Sequence, residues 1–343
     1  MVTDATQTET ATMAPHPLDE ARRTAAALMT RLNTAVIGRR DVVESIVIAL
    51  LADGHVLLED MPGSGKTTLA KTLGESIVDD RDPAERGPIE SFRRIQFTPD
   101  LLPSDVTGTT VFAPQHGTFT FKPGPVFAHV VLADEINRTS PKVQAAMLEA
   151  MAEKQVTVDN RTHPLDALFF VIATQNPLDL AGTFPLPVAQ LDRFLFKIRM
   201  TTIDRAAELE VLRTVQSRRE LSTSGPPPVT RGQVLRARLA MLHGVTLHPL
   251  VQETLVDTGR ALRADPRVLQ GVSTRSLVLC LPALQARALL RDRDHVRADD
   301  VEAVLPLVFN HRVELAAGAV LQDVLRDALR APLERLARAT LGS

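Results

Sequence analysis

Val56-Leu57-Leu58 runs through Glu59 into Asp60-Met61-Pro62-Gly63-Ser64-Gly65-Lys66-Thr67, an apolar stretch that ends in a glycine-rich turn and a lysine. A strand over His55 to Leu58 that feeds a helix over Thr67 to Leu73 leaves several backbone N–H groups unpaired and aimed at one spot. The helix dipole favours negative charge there as well. Phosphate fits such a place, so Met61, Pro62, Gly63, Ser64, Gly65, Lys66, Thr67 and Thr68 form the candidate cradle for a nucleoside triphosphate. Lys66 would reach the β- and γ-phosphates, and the Thr67 hydroxyl would join the Mg²⁺ shell. The strict pattern has glycine where this chain has Asp60, a residue that tolerates turn geometry better than most. The plain alternative is a strand-to-helix turn with a surface lysine. Gly63, Gly65, Lys66 and Thr67 standing in register weigh against it.

The chain has 343 residues, enough for one large or two ordinary domains, and a formal net charge of −2. That balance argues against a protein that coats nucleic acid, which normally carries a basic excess. Cys280 is the single cysteine, so neither a disulfide framework nor a cysteine metal cluster is expected, and a reducing compartment such as the cytoplasm suits it. No apolar run is long enough to span a membrane. Residues 1–17 read as a disordered leader, without the basic end and apolar core of a signal peptide. Tyr and Trp are absent and Phe numbers twelve, which disfavours base-stacking platforms.

Helical spacing recurs over Leu18 to Leu32 and Val42 to Leu51, ahead of the phosphate loop. Further short apolar runs at Ile95 to Phe97, Ala128 to Ala133, Phe169 to Ala173 and Phe194 to Met200 are spaced for a parallel sheet with helical crossovers. Thr110 to Phe121 alternates around Gln115-His116-Gly117, and Gln155 to Leu168 around Asp159-Asn160-Arg161, so both read as inserted hairpins. Ser222 to Pro228 holds Gly225 and three consecutive prolines, a stiff connector that cannot continue a helix. A domain boundary is expected there, with an α/β nucleotide-binding domain over 18–221, a linker over 222–230 and a helical domain over 231–343. The latter has helical patterns over Arg231 to His243, Pro249 to Ala264, Thr274 to Arg291 and Ala298 to Val308.

Val130-Val131-Leu132-Ala133-Asp134-Glu135 is an apolar strand that ends in adjacent carboxylates. Adjacent side chains diverge, so Asp134 can serve Mg²⁺ through water while Glu135 polarises the attacking water. Alone, such a run is as often a strand leaving the core. Phe169 to Ala173 leads into Thr174-Gln175-Asn176-Pro177, and ligands of doubly wound sheets sit at the carboxyl ends of strands. Asn176 would then help hold the water, although Asn-Pro by itself more often starts a plain turn.

With these motifs in place the chain resembles the MoxR family of AAA+ ATPases, over about Ile37 to Arg312. The resemblance is carried by Phe97-Thr98-Pro99-Asp100-Leu101-Leu102-Pro103-Ser104-Asp105, Lys122-Pro123-Gly124-Pro125, Ala133-Asp134-Glu135-Ile136-Asn137-Arg138, Leu148-Glu149-Ala150-Met151, Ala173-Thr174-Gln175-Asn176-Pro177 and Gln190-Leu191-Asp192-Arg193-Phe194. It implies a P-loop AAA+ core, a five-stranded parallel sheet of order 5-1-4-3-2 with the two hairpin insertions of the helix-2-insert group, followed by an all-α lid. It also implies a ring, usually of six subunits, with each nucleotide held between neighbours. Lys66 and Thr67 then match Walker A, Asp134 and Glu135 Walker B, Asn176 sensor 1, Arg193 the arginine finger and Arg275 sensor 2. An arginine finger from the next subunit neutralises charge on the γ-phosphate, worth roughly 10³ to 10⁵ in rate in other systems. The dipeptide alone would suggest instead that Arg193 pairs with Asp192. Arg275, at the start of a lid helix, could reach the γ-phosphate of its own subunit and couple lid angle to nucleotide state.

The chain departs from the family at Ala181-Gly182-Thr183-Phe184-Pro185-Leu186-Pro187-Val188, where members commonly read Glu-Gly-Thr-Tyr-Pro-Leu-Pro-Glu, and at Thr274, where proline is frequent. Neither touches the residues assigned to hydrolysis; the Ala181 to Val188 loop is expected near the subunit interface, so it bears on interface strength or partner choice more than on catalysis. The resemblance implies an ATP- and Mg²⁺-dependent ATPase that remodels or activates partner proteins, often of the von Willebrand factor A type. The rival readings are a magnesium-chelatase-like subunit, a nucleic-acid motor of the minichromosome-maintenance kind, and a nucleotide-gated scaffold. The hairpin tips offer one arginine between them, which weighs against nucleic acid. His129 and His311 lack a second ligand at metal spacing and read as hydrogen-bonded residues of the core or surface. Val320 to Leu341 repeats at near-helical spacing, as a lid helix or subunit contact does.

Overall fold

The computed structural model describes residues 16–59, 63–115, 117–177, 182–221 and 227–341. The leader through Pro15, the loop residues Asp60, Met61 and Pro62, the tip residue His116, Ala181 of the departing loop and 222–226 of the connector lie outside the described residues.

Five parallel strands form the central sheet: β1 (Val56–Glu59), β2 (Glu90–Gln96), β3 (Ala128–Asp134), β4 (Phe170–Gln175) and β5 (Phe196–Arg199). Their spatial order is 5-1-4-3-2, as the family resemblance implies. Val56 stands level with Ile172 on one side and Phe196 on the other, so β1 is sandwiched between two apolar strands. All seven residues of β3 are buried, because a parallel strand inside an α/β sheet is covered on both faces. Side chains nonetheless alternate. Leu58, Val130, Leu132 and Ile172 join the apolar cluster on one face, while Leu57, Val131, Ala133 and Ala173 join the cluster on the other.

The first face is covered by α1 (Pro17–Ala35), α2 (Arg40–Leu51) and α3 (Lys66–Glu75). The second is covered by α4 (Pro141–Glu153), through Val143, Met147, Leu148 and Met151. α1 starts inside the stretch expected to be leader: Pro17 occupies the first turn, where its missing N–H costs nothing, and the His16 ring accepts from Leu18 N–H. After α5 (Arg205–Leu221), Val229–Thr230 pairs with Ile77–Val78 just beyond the end of α3. α6 (Arg231–Gly244) follows, with Thr230 and Gln233 exchanging backbone and side-chain bonds in a capping box. α7 (Pro249–Ala264), α8 (Thr274–Leu290), α9 (Ala298–Phe309) and α10 (Leu321–Leu341) complete the chain. The first apolar cluster continues without a break from the sheet through α1 and α2 into α6 to α10.

Both expected hairpins are present. Gly108–Ala113 pairs with Thr118–Pro123, and Gln155–Val158 with Arg161–Pro164. The second turns on Asp159 and Asn160, both with positive φ (49° and 59°), the handedness that matches strand twist. The first is seated where Gly108 (φ 99°) crosses neighbouring backbone so closely that a Cβ would lie 2.4 Å from the Lys122 carbonyl oxygen. The hairpins touch through the Phe121 ring, stacked on His163 with centroids 3.7 Å apart.

Candidate functional site

The phosphate loop sits where β1 gives way to α3. Gly63 and Gly65 have φ of 89° and 91°, a region that L side chains rarely enter. Gly65 is the N-cap of α3 and supplies no side-chain cap, and the positive end of the helix dipole lies at this loop. The Ser64 hydroxyl is buried with no hydrogen-bond partner among the described residues. A cavity of about 310 Å³ opens here, and Gly63, Ser64, Gly65, Lys66, Thr67 and Thr68 form one wall. Asp134, Glu135, Thr174 and Asn176, at the ends of β3 and β4, form the facing wall, and Arg94 and Gln96 of β2 close the side. Every sequence-predicted member of the phosphate and carboxylate set that is described therefore lines one cavity; Met61 and Pro62 are not among the described residues.

Asp134 and Glu135 diverge because the chain turns between them. Asp134 is the last residue of β3, and Glu135 has left-handed backbone (φ 58°), uncommon for a residue with a side chain and a typical feature of functional turns. One hydroxyl holds both: Thr174 Oγ1 donates to Asp134 Oδ1 at 2.7 Å and accepts from the Glu135 N–H at 2.8 Å. Glu135 Oε2 accepts from Gln96 Nε2 at 3.0 Å and pairs with Arg138 Nε at 3.1 Å. The donor set fits a hydrated Mg²⁺ and a triphosphate: hard oxygens from Thr67 and Asp134 for the cation, and Lys66, Ser64 and helix N–H groups for the phosphates.

A larger cavity of about 1000 Å³ shares Gly63, Ser64, Gly65 and Thr68 with the first. Its walls include Val36, Ile37, Met200 and Ile203, with Glu59 and Gln322 among the polar groups. A nucleoside whose phosphates lay along Gly63 to Thr68 would enter this space. Sequence reasoning missed it because its walls come from five separate stretches of the chain.

Comparison with known proteins places this geometry. Residues 55–196 match the model of the ATPase family associated with various cellular activities (AAA), and residues 260–328 match the AAA lid domain. The chain is 36% identical to chaperone MoxR1 of Mycobacterium tuberculosis, covering 84% of this chain and 75% of that protein. It is 30% identical to protein MoxR of Methylorubrum extorquens, over 90% and 94% of the two chains. The chain belongs to the MoxR family of AAA+ ATPases. Protein YeaC of Bacillus subtilis is 42% identical over 89% of this chain and 94% of its own. A crystal structure from Cytophaga hutchinsonii superposes with TM-score 0.81 at 34% identity, covering 92% of this chain and 96% of that one. The protein is thus an ATPase, with ATP as substrate and Mg²⁺ as the usual partner ion of the family.

In this MoxR-family ATPase Arg193 and Arg275 are not among the residues lining the phosphate cavity. Arg193 is exposed and donates to the Leu148 carbonyl at 2.7 Å; the local pair with Asp192 suggested by the dipeptide does not form. Asp192 is instead bound by the buried Arg312, Nε to Oδ1 2.7 Å, and approached by Arg275 at 3.8 Å. Arg275 thus lies near Asp192 and not on the wall of the phosphate cavity. Asp192 lies before the first residue of β5, whereas the phosphate loop follows the last residue of the neighbouring β1. Strands rise about 3.3 Å per residue, so the two ends of this four-residue register are roughly 10 Å or more apart before any loop is added.

His129 and His311 are core residues. Burial, aided by the adjacent Arg312 charge, pushes His311 down to about 3, and its Nε2 lies 3.0 Å from the Phe194 carbonyl. His129 is buried near Asp79 and Asp166, at 3.5 and 3.8 Å, and burial lowers its pKa against the pull of those carboxylates. Among the described residues no group of three His, Cys, Asp or Glu could hold a metal ion. Among them, too, no helix is long and apolar enough to cross a membrane.

Proposed function

We propose that this ATPase works as a ring, remodelling or activating partner proteins, with each active site completed by the neighbouring subunit. The observation that carries this reading is the division of the site. Lys66, Thr67, Asp134, Glu135 and Asn176 share a cavity, while the exposed Arg193 stands at the other end of the sheet, beside Asp192 and Arg275. Neither arginine serves its own cavity in this arrangement, and both are available to a neighbour's.

In this reading Lys66 and the α3 N-terminus bind and orient the β- and γ-phosphates. Glu135, set off the strand by its left-handed backbone, takes the proton of the attacking water, and Asn176 holds that water in line. Bound Mg²⁺ would neutralise phosphate charge from a place served by Thr67 and Asp134. Arg193 from the next subunit stabilises the charge that builds on the γ-phosphate. The chain divides into a nucleotide-binding domain over 18–221, a linker over 222–230 and a lid over 231–343, and lid motion transmits nucleotide state. A hexameric ring, a cytoplasmic site of action and a von Willebrand factor A-type partner belong to the same proposal. The chaperone name of the Mycobacterium tuberculosis relative supports a protein load.

The test is Glu135→Gln. It should bind ATP, hold the ring together and release no phosphate, so that partners accumulate on it in pull-downs. Phosphate release at the parent rate would remove Glu135 from the catalytic role.

A further inference from the structure

β2 lies beside β3 with Gln96 level with Asp134, and Arg94 is two residues earlier on the same side of the strand. Arg94 closes on Asp134 Oδ2, from Nη2 at 2.6 Å and from Nε at 3.2 Å. The same Nη2 donates to Gln96 Oε1 at 2.6 Å, and Gln96 Nε2 donates to Glu135 Oε2 at 3.0 Å. Since Thr174 already holds Asp134 Oδ1, both oxygens of this carboxylate are engaged by protein donors, inside the cavity that Lys66 and Thr67 line.

The two partners of the ion pair differ in freedom. The Asp134 side chain is 11% exposed and fixed at a strand end; that of Arg94 is 46% exposed, on an edge strand. Guanidinium has no lone pair and does not lose its proton, so it cannot share a carboxylate oxygen with a divalent cation by deprotonating. Arg94 fills both acceptor sites of Oδ2, so a cation or the water it carries gains that oxygen only as Arg94 yields it, and the half-exposed side chain is the one able to leave.

We propose that Arg94 competes with the divalent cation for Asp134. It guards the carboxylate in the nucleotide-free protein, and its departure on loading breaks the Arg94–Gln96 bond as well. Arg94 is thus a positioning residue that raises the Mg²⁺ requirement of nucleotide binding. The inference rests on the cavity being the Mg²⁺-nucleotide site proposed above.

The experiment titrates MgCl₂ into full-length protein with a fluorescent ADP analogue, so that no turnover intervenes. Half-saturating Mg²⁺ is compared in the parent, Arg94→Gln and Arg94→Lys. Loss of a charge-assisted pair with one half-exposed partner should lower the Mg²⁺ requirement of Arg94→Gln by roughly 3- to 10-fold, with Arg94→Lys falling between it and the parent. Circular dichroism confirms that each variant is folded. Mg²⁺-dependent binding in the parent with an unchanged or higher requirement in Arg94→Gln overturns this inference alone. Nucleotide binding in the parent that ignores Mg²⁺ overturns the site assignment, and the inference falls with it.

Discussion

Thr174→Val separates hydrogen bonding from packing at the point where Asp134 and Glu135 meet. Thr174 is 1% exposed, and valine keeps its outline while removing the hydroxyl. The bond to Asp134 Oδ1 (2.7 Å) has an ionised acceptor, worth about 1.5–3 kcal/mol, and the bond from the Glu135 N–H (2.8 Å) leaves a part-buried donor open when lost, at about 1 kcal/mol or more. Their sum points to a loss of about 2.5–4 kcal/mol in urea unfolding. The same bonds set the angle between Asp134 and Glu135, and an ångström of misplacement at reacting groups costs up to about 10²-fold in rate. Steady-state phosphate release should therefore fall by about 10- to 100-fold, while binding of the ADP analogue weakens less. Thr174→Ser, which restores the hydroxyl, should recover most of both. A Thr174→Val protein within about 0.5 kcal/mol of the parent and with its full turnover would show that the shared hydroxyl organises nothing.

Stability should fall on acidification. His311 and His55 are held down to about 3 and about 4 by burial, so the unfolded chain, with histidine near 6.5, binds more protons below that value, and folding loses up to about 1.4 kcal/mol per pH unit for each such group. Asp79, held to about 2 by Arg81, contributes only at much lower pH and leaves this window alone. The urea midpoint should drop between pH 7 and pH 5, and less steeply in His311→Gln; equal slopes would exclude His311 as a source. Gly108→Ala should cost about 1–3 kcal/mol, because its φ is 99° and its Cβ would meet the Lys122 carbonyl at 2.4 Å. Gly117→Ala, with positive φ but open space around it, should cost less in the same unfolding assay.

Much of this architecture was legible because apolar runs and punctuation coincide with it. β1, β3 and β4 are nearly all apolar, and α6 and α7 begin at a capping residue and a proline. β2 was seen only at Ile95 to Phe97, since an edge strand keeps one face wet and its earlier residues include Ser91, Arg93 and Arg94. α5 was missed because Arg205 to Leu221 has few apolar positions and gives no clear period. In the site, the residues assigned to phosphate and to the attacking water carry motif signatures. Their supports do not: Arg94 and Gln96 become meaningful only once β2 is known to lie beside β3. The place of Arg275 is not legible, because sequence position says nothing of which end of the sheet a lid helix starts on; its 3.8 Å approach to Asp192 sets that helix start beside the residues that precede β5.

Mixed rings test the division of the active site most directly. Arg193→Ala keeps an intact Glu135 but lends no finger, and Glu135→Gln lends its Arg193 but has no base. Each alone should be nearly inactive. If neighbours complete each other's sites, random one-to-one mixing makes about a quarter of interfaces whole, and ATPase activity should return to about that fraction of the parent rate. No recovery on mixing two folded, ring-forming variants, or full activity in Arg193→Ala alone, would contradict a site shared between subunits.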